Sequence, residues 1–116
     1  MQFKLEGTIV PKARPRFANG HSYLPDRYRK WKNQAAIALR EQNSYSQPLV
    51  MCRITIIFLG SHNRNADLDN LAGAVLDALV DAKVIEDDRL SVVRELTTKF
   101  PGTKGKKETT IEIEPL

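Results

Sequence analysis

This 116-residue sequence holds a single cysteine and only two histidines. With Cys52 alone, no internal disulfide can form. Cys52 lies in the apolar run MCRITIIFLG, where a buried thiol is expected. A reducing, cytoplasmic compartment fits that usage. His21 and His62 stand apart, with no second ligand at zinc spacing, and read as surface or loop histidines. Apolar runs are short: none approaches the roughly 20 residues that a membrane helix needs, so no membrane partner is expected. Lys4 and Glu6 interrupt the first apolar stretch, which argues against a secretory signal. There is no internal repeat, no low-complexity tract and no cysteine or serine triad. The segment GTKGKKE lacks the spacing of a phosphate-binding P-loop.

What is present suffices for one globular domain over residues 1–116, with 41% hydrophobic residues and a net charge of +4. QFKLEGTIV alternates, with Phe3, Leu5 and Ile9 on one face and Lys4, Glu6 and Thr8 on the other, and predicts a half-buried strand. Pro11, Pro15 and Gly20 rule out regular structure in PKARPRFANG. A helix is expected from near Pro25, with Leu24, Tyr28, Trp31, Ala35, Ala38 and Leu39 sharing a face. Tyr28 and Trp31 read as core residues rather than base-stacking platforms. Residues 49–59 predict a β-branched central strand. Leu68, Leu71, Ala72, Val75, Leu76 and Leu79 recur at the spacing of a second helix packed on a core. Residues 92–100 and 108–116 predict two more strands. Without a steady βαβ rhythm, the fold class is α+β: a mixed, mostly antiparallel sheet with two main helices.

Six aspartates fall between positions 67 and 88 of this basic chain: Asp67, Asp69, Asp77, Asp81, Asp87 and Asp88. Residues two apart on a helix point roughly 200° away from each other, whereas on extended chain they share a face. Asp67 and Asp69 can therefore converge if the helix starts near Asp69 or Asn70, with Asp67 on the incoming extended segment. The helix dipole favours anions there. Asp87 and Asp88 follow the helix, about 20 Å away by helix length alone, and join the site only if the chain doubles back. Gathered carboxylates repel unless a cation sits among them. Mg²⁺ suits such a set and can activate water and stabilise the leaving oxygen of a phosphodiester. The plainer reading makes Asp69 a helix cap, Asp77 and Asp81 solvated acids, and Asp87 and Asp88 turn residues. An EF-hand is excluded, because Leu71 holds the fifth loop place and no glutamate closes the loop.

Between Lys12 and Lys32 stand seven basic residues: Lys12, Arg14, Arg16, Arg27, Arg29, Lys30 and Lys32. Only Asp26 opposes them. The prolines of PKARPRF space its cations along a stiff segment, which suits phosphates repeating along a nucleic-acid strand. Lys104, Lys106 and Lys107 add charge on what reads as a mobile turn. Acids able to hold a metal beside cations able to hold phosphates point to a nuclease. Two other readings stay open: a module that binds branched DNA without efficient cleavage, and a structural protein whose acids are caps and turns.

GTIVPKARPRF followed by YLPDRYRKW, then DLDNL, LDAL and VIEDD in that order, resemble the RusA family of Holliday-junction resolvases over most of the chain. The resemblance implies a small α+β homodimer that cuts four-way DNA junctions with Mg²⁺. It also implies Asp67, Asp69 and Asp88 as catalytic, metal-binding aspartates, with Asp87 as a neighbouring acid of less defined role. Lys12, Arg14, Arg16, Lys104 and Lys106 are the expected DNA contacts. The sequence departs from the family at one place. Where the family has a lysine four residues after the second aspartate, this chain has Gly73. Glycine offers no charge and costs a helix about 1 kcal/mol relative to alanine. Lys12, Arg14, Lys83 and Arg89 are the candidate replacements.

Overall fold

The computed structural model describes the backbone of residues 1–12, 16–18, 20–23 and 25–116, and the side chains of 1–12, 20 and 25–116. Strand β1 (Gln2–Glu6) buries Phe3 and Leu5 and stops at Gly7, whose φ of 89° only glycine adopts easily. The alternation is therefore shorter than expected, although Ile9 still reaches the core. Helix α1 (Asp26–Gln42) starts directly after Pro25 and buries Tyr28, Ala35, Ala36 and Leu39. Trp31 and Ala38 pack at its margin, and Leu24 lies outside the described residues. Strand β4 (Cys52–Leu59) buries Cys52, Ile54, Ile56 and Phe58 on one face. Helix α2 (Leu68–Asp81) follows, then β5 (Val93–Lys99) and β6 (Glu108–Pro115).

The segment expected to lack regular structure contains a short hairpin, β2 (Arg16–Ala18) against β3 (His21–Tyr23). Gly20 turns with φ 78°, a left-handed angle suited to a tight reversal. The prolines precede these strands in the sequence, so they do not interrupt them.

The main sheet has the order β1-β6-β4-β5. β1 and β6 pair antiparallel, as do β6 and β4, while β4 and β5 run parallel. This is the expected α+β fold, a mixed and mostly antiparallel sheet with two helices. Register aligns Phe3 with Ile111, Ile56 with Ile111 and Ile54 with Ile113, giving one apolar face on which both helices lie. A side chain such as Ile54 or Leu79, fully buried, contributes about 1.5–3 kcal/mol relative to its exposed state.

The unit β4-α2-β5 positions everything that follows. Because its strands are parallel, α2 must run back across the sheet, antiparallel to both. Its N-terminus lies at the carboxyl ends of β4 and β5: Leu68 and Leu71 share a cavity with Phe58 and Phe100. Its C-terminus leads to the start of β4. There Leu49 exchanges backbone hydrogen bonds with Val84 and Glu86, and the Cys52 N–H donates to the Val92 carbonyl. No described helix is long and apolar enough to cross a membrane.

Candidate metal centre and nucleic-acid face

Asp67 occupies the residue before α2 in extended conformation (φ −80°, ψ 130°), and Asp69 lies in the first turn. The helix starts at Leu68, one residue ahead of the expected point, and the extended position of Asp67 is as expected. Asp67 does not cap the helix with its side chain. Asn70 lies between the two acids. Its Nδ2 donates to Asp67 Oδ2 at 3.4 Å, and its backbone N–H donates to Asp69 Oδ1 at 3.0 Å. Both carboxylates are exposed, and neither has an ion-pair partner among the described residues. The helix N-terminus favours the two negative charges, and it is their open lone pairs that suit a hard cation. The sequence offers Asn70 only as a possible helix start, and its contact with both acids is a finding of the structure.

Asp87 and Asp88 sit at the other end of the unit. The 14 residues of α2 span about 21 Å at 1.5 Å per residue. β5 does run antiparallel to the helix, but it begins at Val93 and leaves Asp88 behind at the helix C-terminal end. Within one chain, the expected meeting of Asp88 with Asp67 and Asp69 does not occur. Among the described residues, no group of three or more acids, histidines or cysteines could hold an ion. Asp87 accepts the Asp88 N–H at 2.7 Å and pairs with Arg89 at 3.1 Å. That backbone N–H, with a smaller contribution from Arg89, holds its carboxyl below the usual value. Arg89 also binds Glu86 at 3.1 Å. Asp88 is exposed and has no ion pair among the described residues.

The cations divide by end. Lys83 and Arg89 belong with Asp88, far from Gly73. Arg14 and the side chain of Arg16 lie outside the described residues. Lys12 lies on α2: its backbone N–H donates to the Asn70 carbonyl at 3.1 Å, and its Nζ reaches Asp77 Oδ1 at 3.3 Å. Asp77 also accepts the Tyr28 hydroxyl at 2.5 Å. Burial, then that bond and the Asp77 charge, push the phenol far above its ordinary value, so it stays a donor. Asp81 pairs with Lys32 at 3.4 Å.

Lys104 and Lys106 sit on a turn tied to the carboxyl end of β4. Gly60 N–H donates to Thr103 Oγ1, Ser61 N–H to the Gly105 carbonyl, and Gly105 N–H to Ser61 Oγ. Hydrogen bonds thus hold the turn that the sequence suggested was mobile. Lys106 pairs with Glu6 at 3.2 Å, while Lys104 has no ion pair among the described residues. Arg64, not singled out in the sequence, stacks its guanidinium 5.9 Å from the Phe100 ring centre near the same end. His62 is buried rather than on the surface. Its loop folds back over the sheet end, setting the imidazole edge-on to Phe58 at 5.9 Å. His21's side chain lies outside the described residues.

One end of the molecule therefore offers Asp67, Asp69, Lys12, Arg64 and Lys104, and the opposite end offers Asp88. A family model described as endodeoxyribonuclease RusA matches residues 6–114. No curated protein matches the chain.

Proposed function

Because the chain belongs to the RusA endodeoxyribonuclease family, a family acting on Holliday junctions, we propose that it is a Mg²⁺-dependent junction resolvase whose metal centre is completed between two copies. The observation that carries this reading is the separation of Asp88 from Asp67 and Asp69 by the length of α2. A twofold axis relates opposite ends of paired elements. β5 has β4 on one side and no strand on the other among the described residues. Antiparallel pairing of two β5 edges would carry Asp88 of each copy towards Asp67 and Asp69 of the other. Beside that edge runs a groove formed by Leu68, Ala72, Leu76 and Leu96, in which Leu68 and Leu96 are exposed. An apolar strip continuous with a strand edge suits a second copy.

The donor chemistry fits the ion. Mg²⁺ is held by one or two carboxylates together with phosphate oxygens, and Asp67 and Asp69 supply two exposed carboxylates with no ion pair among the described residues. When bound, the ion would offset charge on the scissile phosphate and on the departing oxygen. Lys104, with Arg14 and Arg16 of the basic segment, would hold flanking phosphates, and Lys106 can exchange Glu6 for phosphate. Two copies present two such sites to the two symmetry-related strands of a junction.

Mixing two inactive variants tests this. Asp69→Asn and Asp88→Asn should each fail to cut a synthetic four-way junction. Their heterodimer keeps one intact site if Asp88 acts across the interface, and none if it acts within its own chain. An equal mixture should nick the junction at about a quarter of the wild-type site count, given random pairing. No nicking by a mixture shown to form heterodimers would reject completion between copies. Wild-type cutting by Asp69→Asn alone would reject the metal centre. A second reading, a branched-DNA binder with weak or no cleavage, rests on Gly73. It predicts junction binding without turnover.

A further inference from the structure

Gly73 sits mid-helix among buried neighbours, where glycine is an unfavourable choice. A Cβ built there would lie 3.2 Å from Lys12 Cδ and 3.7 Å from Lys12 Cβ. The missing side chain makes room for another one, because the lysine stem crosses the helix at this point. We propose that Lys12 is a catalytic cation of this chain, entering from the basic segment at the level of Gly73 and reaching the scissile phosphate beside Asp69. This rests on the reading of Asp67 and Asp69 as the metal-holding pair.

The geometry gives Lys12 two destinations. Asp69, Gly73 and Asp77 are spaced i, i+4, i+8 and lie along one helix face, roughly 6 Å apart in rise. The Lys12 backbone is held by its bond to the Asn70 carbonyl, and its stem lies over Gly73. Rotation about the outer bonds of that stem can swing Nζ towards Asp77 or towards Asp69. Without DNA, Nζ rests on Asp77, in a pair whose side chains are 47% and 22% exposed. Water screens such a pair, and a phosphate oxygen can compete for the ammonium. Asp77 would not be stranded, because Tyr28 continues to donate to it. At the phosphate, the ammonium would donate to a non-bridging oxygen and stabilise the charge that builds there. It transfers no proton. Lys83 and Arg89 lie at the opposite end of α2 and cannot take this part within the chain.

The test uses full-length protein and a synthetic junction. Lys12→Met keeps a stem over Gly73 and removes the charge. Lys12→Ala with Gly73→Lys moves the charge onto the helix. Binding is measured without divalent metal across a salt series, and cleavage in single turnover at saturating protein with Mg²⁺. Lys12→Met should lower the saturated cleavage rate by about 100-fold or more. Its salt slope should fall by about one unit, the loss of one phosphate contact. The charge-relocated variant should recover cleavage to within about tenfold of wild type. A Lys12→Met rate within about twofold of wild type would overturn the proposal, as would a defect that saturating protein abolishes. A folded charge-relocated variant as slow as Lys12→Met would also overturn it. Asp69→Asn, run in parallel, separates the two readings. If it cuts like wild type, the acidic pair is wrong whatever Lys12 does.

Discussion

Replacing Gly73 by alanine sets two effects against each other. Alanine in a helix interior gains about 1 kcal/mol over glycine. The new methyl, however, meets Lys12 Cδ at 3.2 Å, and the stem must give by a few tenths of an ångström. A lysine stem is flexible and partly solvated, so it can move. Moving it weakens the ion pair with Asp77, which is worth at most about 1 kcal/mol at this exposure. We expect a net gain of about 0.5 kcal/mol in the native background, and the full gain of about 1 kcal/mol once Lys12→Ala has cleared the stem. For a chain of this length those values correspond to roughly 2 °C and 4 °C in Tm. Urea midpoints and thermal scans of the four proteins, at one fixed concentration, give both numbers and their coupling. If Gly73→Ala destabilises by more than about 1 kcal/mol in both backgrounds, the methyl meets something other than Lys12 and the packing argument is wrong. Cleavage should fall in Gly73→Ala even as stability rises.

Tyr28→Phe removes a hydroxyl that donates to a carboxylate and should cost about 1.5–3 kcal/mol in urea unfolding. Because the folded phenol titrates above the ordinary 10.0, its contribution is full below pH 10 and is lost as pH rises beyond it. The wild type should therefore weaken above about pH 10 more steeply than Tyr28→Phe. A parallel decline would show that another group causes it. Gly60→Ala should fail to fold or lose at least about 3 kcal/mol, since its φ is 93° and its Cβ would lie 2.1 Å from the Lys106 carbonyl oxygen. Near-native melting would mean that the β4 end and the turn are farther apart than described. Leu96→Asp places a charge on the exposed edge strand and, on the proposed pairing of two copies through β5, should leave folding intact while converting dimer to monomer in sedimentation and removing cleavage. A dimer that survives the change would exclude the β5 edge as its contact.

The helices were the most legible elements because each buries one stripe, and the stripe is written at 3.6-residue spacing in Leu71, Val75 and Leu79. β4 was legible because its β-branched run alternates between a buried and a half-buried face. The β2–β3 hairpin was not: three-residue strands carry too few side chains for a period to show. The placement of Asp67 on extended chain and Asp69 in the first turn of α2 could be read because it is set by local backbone geometry. Asp88 could not be placed, since its distance from them depends on which strand β5 joins and in what direction. The contact between Lys12 and Gly73 is tertiary, and sequence offered Lys12 as only one of four candidate cations. His62 lies in a loop as expected, but its burial is not legible, because nothing local shows that this loop folds inward.

On the proposed reading of Lys104 and Lys106 as phosphate contacts, the close approach of Gly60 to Lys106 bears on how strongly this corner would grip a phosphate backbone. A loose lysine loop gives up roughly 1–2 kcal/mol of backbone freedom per residue when it clamps onto a partner, and that loss subtracts from affinity. Here the ordering has already happened during folding, through the seam that joins Gly60 and Ser61 to Thr103 and Gly105. Lys104 and Lys106 thus stand on a platform set before any ligand arrives. Lengthening that turn with inserted glycines would leave every charge in place and still weaken the hold.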